Sequence, residues 1–211
     1  MERYLQESYY LDYNATTIKA LTAPFLMIEK PVDRAKAIYL AIRDGWRYNP
    51  YQISMNTENY RASVISGKSE GHCVDKAILL TACLRGLGIP ARLRLAKVTN
   101  HIAVDRLTER FGSNVLTPHG MVDVHLEGKW VKATPAFNKA LCERCQVAPL
   151  EFDGKNDSMF QEFNQEGRQF MEYLEDYGAF EDVPLEFMMG NLRENYPDVF
   201  DENNGIVEYR F

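Results

Sequence analysis

The stretch 73–87 constrains the fold most, because its apolar side chains cover nearly every face of a helix. A surface helix keeps one polar face, so a helix that is apolar all round has to be buried. Gly86 and Gly88 supply a helix stop, and Pro90 prevents continuation. We therefore predict a buried central helix around which the rest of the chain packs.

The flanking segments add further elements. Apolar residues recur at spacings of three and four after Pro31, which indicates an amphipathic helix. Residues 46–71 show little periodicity and are predicted to form a surface loop. Residues 91–95 alternate apolar side chains with Arg92 and Arg94, which predicts a strand with both arginines on a solvated face.

A hairpin is predicted over residues 121–131, where apolar and polar residues alternate on either side of the turn pair Glu127-Gly128. With this turn, the numbers of cross-strand partners sum to 255. The second strand is expected over 130–135, and residues 159–177 are expected to be helical. Helices before strands, without regular alternation, predict an α+β fold with helices packed on an antiparallel sheet.

The length of 211 residues and the lack of a Pro/Gly/Ser-rich linker predict a single domain, 1–211. Residues 1–150 carry 20 Lys and Arg against 14 Asp and Glu, a net charge of +6. Residues 151–211 carry 4 against 16, a net charge of −12. We expect a core over about 30–140 and an acidic covering segment over 141–211, which is either a solvated face or a layer against the basic body.

Composition also excludes several classes of protein. The net charge of −6 argues against a nucleic-acid partner, and no apolar run approaches the length of a membrane span. Four cysteines are too few for a disulfide scaffold, and the polar start does not resemble a signal peptide. We expect a cytoplasmic protein with reduced cysteines, and the sequence leaves its oligomeric state undefined.

Cys73 lies at the first turn of the predicted buried helix, directly after Gly71-His72. Unpaired backbone N–H groups and the positive end of the helix dipole favour thiolate there. A thiolate at neutral pH is a nucleophile, and the backbone N–H of Cys73 can help to hold an oxyanion. The alternative is an inert core cysteine, since free cysteines are commonly buried.

His119 stands where the predicted hairpin begins, between Pro118 and Gly120. A catalytic thiol needs an imidazole that takes up and returns its proton, and a strand packed across the helix N-terminus can supply one. The alternative is a histidine at a strand edge that makes an ordinary surface hydrogen bond.

Two blocks of sequence resemble the transglutaminase-like superfamily, whose core is related to papain-like cysteine proteases. The first block reads Gly-His-Cys-Val-Asp-Lys-Ala at 71–77 and continues as Gly-Leu-Gly-Ile-Pro-Ala-Arg at 86–92. The second reads His-Gly-Met-Val-Asp-Val at 119–124, followed by Gly-Lys-Trp-Val at 128–131. The resemblance, to bacterial stand-alone members, implies that Cys73 is the nucleophile and His119 the general base. The implied reaction is acyl transfer on an amide or peptide bond, without a cofactor or metal.

Thr134 departs from the pattern of this superfamily, which usually has an aspartate before the proline that follows the Trp strand. An aspartate orients the imidazole and stabilises its charged form, whereas threonine offers a neutral oxygen. The predicted register places Thr134 and Asn138 diagonal to His119, so either can receive the ring N–H. Papain-like enzymes use a neutral asparagine in this role.

Four further residues are candidates for binding a peptide or amide-containing substrate. His72 precedes the nucleophile, and Trp46, Tyr51 and Gln52 fall in the predicted loop before it. Gln52 is also a candidate for a second oxyanion donor.

Three functions remain open. The first is a cysteine-dependent amide-bond enzyme, a hydrolase rather than a cross-linking transglutaminase. The second is a binding or scaffold module whose activity has lapsed, suggested by Thr134. The third is a redox or metal protein built on Cys142 and Cys145, although no second ligand pair at zinc-site spacing exists.

Overall fold

The computed structural model describes residues 1–101, 104–159 and 163–197. Its α-helices are α1 Thr16–Thr22, α2 Pro31–Gly45, α3 Ala62–Ser66, α4 Cys73–Gly86, α5 Val104–Phe111, α6 Lys139–Arg144 and α7 Leu185–Asn195. Within these described ranges, no helix combines the length and apolar character needed to cross a membrane.

The strands are β1 Arg47–Tyr48, β2 Glu70–Gly71, β3 Ala91–Asn100, β4 Val115–Leu126, β5 Lys129–Ala133 and β6 Met171–Phe180. Strands β3 to β6 form one antiparallel sheet in the order β5-β4-β3-β6, and helix α4 packs on β4 and β3. The α+β prediction, with a cysteine-bearing helix on an antiparallel sheet and helical segments on both sides in the chain, is confirmed.

Helix α4 lies at the centre of the core, as its all-round apolar surface predicts. Every residue from 73 to 85 is buried. The preceding His72 caps the helix, because its Nδ1 accepts a hydrogen bond of 2.9 Å from the backbone N–H of Asp75. Gly88, with φ of 75°, supplies the left-handed residue that ends it. The first turn of α4 is therefore held in the interior against the sheet.

The hairpin of β4 and β5 has the predicted turn and register. Glu127 and Gly128 have φ of 49° and 84°, as a two-residue turn with both central residues left-handed requires. Val122 pairs with Ala133, so the partner numbers sum to 255. Strand β5 ends at Ala133, two residues earlier than expected, because the chain then leaves the sheet before Pro135.

The prediction of a helix over 159–177 is wrong for the residues that the structure describes. Residues 160–162 lie outside the described ranges. Met171–Phe180 is strand β6, antiparallel to β3 at the free edge of that strand. The spacing of four between Tyr173 and Tyr177 fits one face of a helix and one face of a strand equally. Pairing with β3, which is remote in sequence, decides for the strand.

The predicted loop 46–71 contains more structure than its lack of periodicity suggested. It includes β1, a 3-10 helix at Thr57–Tyr60, α3 and β2. Strands β1 and β2 pair in parallel, and Ala62 and Ile65 of α3 are buried in the core. These elements are too short for a periodic pattern to identify them.

The predicted solvated face for Arg92 and Arg94 is also wrong. Both guanidinium groups contact the carboxylate of Asp123, which is 1% exposed on β4: Arg92 Nε at 2.9 Å and Arg94 Nε at 2.7 Å. Arg94 Nη1 also lies 2.6 Å from Asp176 of β6. The arginines are half-buried because the register places Arg92 opposite Asp123. Asp176 shows that part of the acidic segment pairs with the basic core.

Candidate active site

Cys73 is the first residue of α4 and faces strand β4. Its Sγ lies 3.9 Å from the carbonyl oxygen of Pro118, to which the thiol donates. At Gly120 the strand comes so close that an added Cβ would lie 2.6 Å from Cα of Val74. Only glycine permits this approach, which brings the backbone N–H of Gly120 to the sulfur. Sequence reasoning missed this role, although a glycine directly after the candidate base was its signal.

Burial raises the pKa of the Cys73 thiol to about 11. Hydrogen bonds from the backbone N–H groups of Gly120, Val74 and Cys73 itself act in the opposite direction. The expectation of a thiolate at the helix N-terminus is therefore wrong for Cys73 in this buried position. The helix end favours the anion, but removing the sulfur from water costs more.

His119 is 1% exposed, and neither ring nitrogen has a hydrogen-bond partner among the described residues. Burial, with the neighbouring His72 as a secondary cause, lowers the pKa of His119 to about 4. The imidazole is neutral at pH 7. Over the described ranges, no hydrogen bond joins it to Cys73, and the two side chains line different cavities.

Thr134 shares a cavity of about 10 Å³ with His119. Its Oγ1 is buried and has no hydrogen-bond partner in the part of the chain that the structure describes. Asn138 does not line this cavity, and its Oδ1 accepts the backbone N–H of Tyr48 at 3.0 Å. Of the two candidate orienting residues, only Thr134 lines the cavity of His119 and has a side-chain oxygen without a partner among the described residues.

Among the predicted substrate-binding residues, His72 lines the cleft over Cys73. Tyr51 lies one layer away and stacks on Phe111, which does line the cleft, with ring centroids 5.7 Å apart. Burial lowers the pKa of His72, so its ring is also neutral at pH 7.

Trp46 and Gln52 do not line this cleft. Trp46 is 8% exposed in the core, and its Nε1 donates to the carbonyl of Ile65 at 3.2 Å. Gln52 Nε2 donates one of its two N–H groups to the carboxylate of Glu70 at 3.2 Å, and the side chain does not reach the cleft. Neither side chain lies beside Cys73, where the expected roles in substrate binding and oxyanion stabilisation would place it.

Helix α7 and the residue after it cover the cleft over Cys73. Met188 and Leu192 of α7 and Tyr196 form one wall, and the space that remains beside the thiol is about 30 Å³. A space of this size can hold a water molecule. Helix α7 and Tyr196 thus leave little room beside Cys73, which is 6% exposed. No periodic signal in the sequence identified this covering helix.

A group of hydrogen bonds ties the covering helix to β4 beside His119. Tyr196 Oη accepts the backbone N–H of Thr117 and donates to the carbonyl of Val115, both at 2.8 Å. Thr117 Oγ1 donates to Oδ1 of Asn191 on α7, also at 2.8 Å. These hydrogen bonds fix the position of α7 and Tyr196 over the cleft.

None of the other three cysteines lines the cleft over Cys73. Cys83 is fully buried in α4, as predicted. Cys142 and Cys145 lie at the end of α6 and are not joined by a disulfide, and burial raises the pKa of both. In residues 1–101, 104–159 and 163–197, no group of three or more His, Cys, Asp or Glu is placed to hold a metal ion.

Comparison with known proteins identifies the family of this chain. Residues 19–135 match the transglutaminase-like superfamily, and no curated protein matches. One crystal structure that resembles the fold is that of a "putative cysteine protease from Cytophaga hutchinsonii", with 22% identity and a TM-score of 0.47. The similarity covers 63% of this chain and 40% of that one, so this chain spans less than half the length of the Cytophaga hutchinsonii protein. The family match spans more than half of the sequence, and the chain belongs to the transglutaminase-like superfamily.

Proposed function

We propose that the protein is a cysteine-dependent acyl-transfer enzyme acting on amide or peptide bonds, with Cys73 as nucleophile and His119 as general base. Superfamily membership supports a cysteine-based enzyme in general. The observation that carries the proposal is the arrangement at β4, where Gly120 contacts the cysteine helix and the adjacent His119 has a buried imidazole without a partner among the described residues.

The chemistry follows from the two neutral groups. Cys73 Sγ attacks the carbonyl carbon while its proton moves to a ring nitrogen of His119. The C–N bond then breaks, and the imidazolium gives its proton to the leaving amine. Water attacks the resulting thioester, His119 takes a proton from it, and the C–S bond breaks as the sulfur is reprotonated. The backbone N–H groups at the start of α4 stabilise the oxyanion.

In this proposal the closed structure is the resting state. The hydrogen bond between catalytic groups is often long or absent without substrate and forms in the complex. Displacement of α7 admits the substrate and hydrates the thiol, which lowers its pKa towards the ordinary range.

We propose Thr134, rather than Asn138, as the residue that orients His119. The support is the shared cavity and the unpartnered Oγ1 of Thr134, described above. Asn138 already binds Tyr48 through its side-chain oxygen. A neutral hydroxyl stabilises an imidazolium less than a carboxylate does, which fits a base that is charged only during the reaction.

Water is the proposed acceptor, which makes the enzyme a hydrolase. A cross-linking enzyme has to attract the ammonium group of lysine and remove its proton. No Asp or Glu is among the described residues that line the cleft over Cys73, which are mostly aromatic and aliphatic. The cleft thus lacks the charge that would favour a lysine acceptor over water.

The second candidate is a lapsed module that keeps the fold as a binding surface. Two observations favour it: Thr134 replaces the usual aspartate, and the described structure contains no hydrogen bond between Cys73 and His119. The two candidates differ in whether an acyl group can be transferred to Cys73.

The test uses the full chain with a pool of N-acetyl dipeptidyl aminomethylcoumarin amides at pH 7.5, with and without butylamine. The proposal predicts coumarin release, a thioester at Cys73 by intact mass, and loss of about 100-fold or more in Cys73→Ala and His119→Ala. Cys83→Ala, on the same helix, is the matched control. Butylamide products would overturn the choice of hydrolysis. Absence of both release and thioester would support the lapsed module.

A further inference from the structure

Lys76 is a fully buried lysine on the cysteine helix, one turn after Cys73. Its Nζ donates three hydrogen bonds, to the carbonyl oxygens of Arg43 at 2.7 Å, Trp46 at 2.8 Å and Ala136 at 2.8 Å. An ammonium group has three donors, so each of them has a partner. The environment is costly for a charge, and burial lowers the pKa of Lys76 to about 7.

The three acceptors come from two parts of the chain, the end of α2 and the segment after β5. Arg43 is in the last turn of α2, and Trp46 immediately precedes β1. Ala136 belongs to the 134–138 segment, which follows β5 and lines the cavity of His119. Lys76 is thus a direct polar link from the helix of the nucleophile to the wall of the base's cavity.

The other contacts of the 134–138 segment and its flank come from different elements. Tyr39 Oη of α2 shares its one proton between the carbonyl oxygens of Leu150 at 2.7 Å and Thr134 at 3.1 Å. Asn138 Oδ1 accepts the N–H of Tyr48 in β1. These bonds hold the segment against α2 and β1, whereas the bond from Lys76 sets its position relative to α4. Removal of Lys76 would leave three buried carbonyl oxygens without this donor, which also costs stability, so a positioning role has to be separated from a structural one by experiment.

We propose that Lys76 is a positioning residue that aligns the 134–138 segment with the cysteine helix, so that Thr134 holds the imidazole of His119 towards Cys73. This inference rests on the proposed function. A residue in this role affects the reactivity of Cys73 only through His119, which distinguishes it from a residue that merely stabilises the fold.

Arg85 provides a matched control on the same helix. It is 4% exposed and also donates to three backbone carbonyls, those of Ala91 at 2.9 Å, Gln6 at 2.8 Å and Glu181 at 2.5 Å. It lies at the opposite end of α4 from Cys73. Lys76→Met and Arg85→Met each remove a buried basic side chain with three carbonyl partners, and only the first touches the site.

The experiment measures alkylation of Cys73 by iodoacetamide at pH 7 in the full chain, with and without His119→Ala in each background. In the wild type we expect the presence of His119 to speed alkylation about tenfold, which is less than the about 100-fold or more that general-base catalysis contributes in enzymes. In Lys76→Met this ratio should fall to about twofold or less, whereas in Arg85→Met it should stay at the wild-type value. Lys76→Arg should recover part of the ratio.

Lys76→Gln, which keeps two donors, is scored in the same way if Lys76→Met does not fold. A wild-type ratio in a folded Lys76 variant would overturn the positioning role and leave the proposed function standing. Equal loss in the Lys76 and Arg85 variants would reduce Lys76 to a structural residue and so overturn it too. A wild-type chain in which His119 has no effect would instead refute the proposed function, and the inference with it.

Discussion

Tyr196→Phe removes the hydroxyl that ties the end of α7 to strand β4, and it is expected to expose Cys73 more often. The lost hydroxyl has two partners, the N–H of Thr117 and the carbonyl of Val115, and Tyr196 is only 3% exposed. Each hydrogen bond contributes about 0.5–1.5 kcal/mol net, so closure weakens by about 1–3 kcal/mol. With 1.4 kcal/mol per factor of ten, the open population rises about 5-fold to 150-fold.

The assay is the rate of Cys73 alkylation by iodoacetamide at pH 8, mapped by peptide mass spectrometry. Closed-state thiol has a pKa of about 11 and reacts slowly, so the measured rate follows the open population. Cys83 is an internal control, because it is fully buried on the same helix and reacts only on wider unfolding. Tyr13→Phe is the matched variant: its hydroxyl donates to the carbonyl of Leu5 at 3.0 Å, remote from the cleft.

The expected result is faster alkylation of Cys73 in Tyr196→Phe, with Cys83 unchanged and Tyr13→Phe close to the wild type. Equal acceleration at Cys73 and Cys83 would mean that the variant unfolds globally, and the local closure by α7 would be refuted. The same conclusion would follow if Tyr196→Phe lost stability while Cys73 reacted at the wild-type rate.

Two other predictions concern stability. Gly120→Ala should destabilise the fold by about 1–3 kcal/mol or more in urea unfolding, because the new Cβ meets the backbone of Val74 at 2.6 Å. Gly190→Ala in α7, with no atom within 4 Å, is the control and should gain up to about 1 kcal/mol; a similar loss in both would refute the close approach. The free energy of unfolding should also fall as pH drops from 6.5 to about 4, since the folded pKa of His119 is about 4 and its ordinary value is 6.5. The depressed pKa means that this stability is present above pH 6.5 and is lost on acidification, on the order of 3 kcal/mol. His119→Asn should flatten this acid limb, apart from the share of His72, whose pKa is also lowered, and an unchanged limb would contradict the assignment.

Local patterns predicted the elements whose structure depends on neighbouring residues. The apolar surface of 73–87 required a buried helix, because any face turned to water would have exposed apolar area. The pair Glu127-Gly128 set the hairpin register, because two left-handed residues in sequence favour one turn geometry.

Contacts between distant parts of the chain decided what these patterns left open. The prediction that Arg92 and Arg94 share one face of a strand is correct, but Asp123 on the next strand turned that face into a half-buried ion-pair network. Residues 171–180 became a strand because the edge of β3 needed backbone partners.

The candidate site divides in the same way. The sequence by itself determined the identity of Cys73 and His119 as candidates, the helix end on which the thiol sits and the superfamily, since motif and spacing are local properties. Only the tertiary structure decided the protonation of both groups, the place of Thr134, the cover formed by α7 and the three carbonyl partners of Lys76. The physical reason is that burial sets the free energy of a charge, and burial depends on segments brought together from distant positions along the chain.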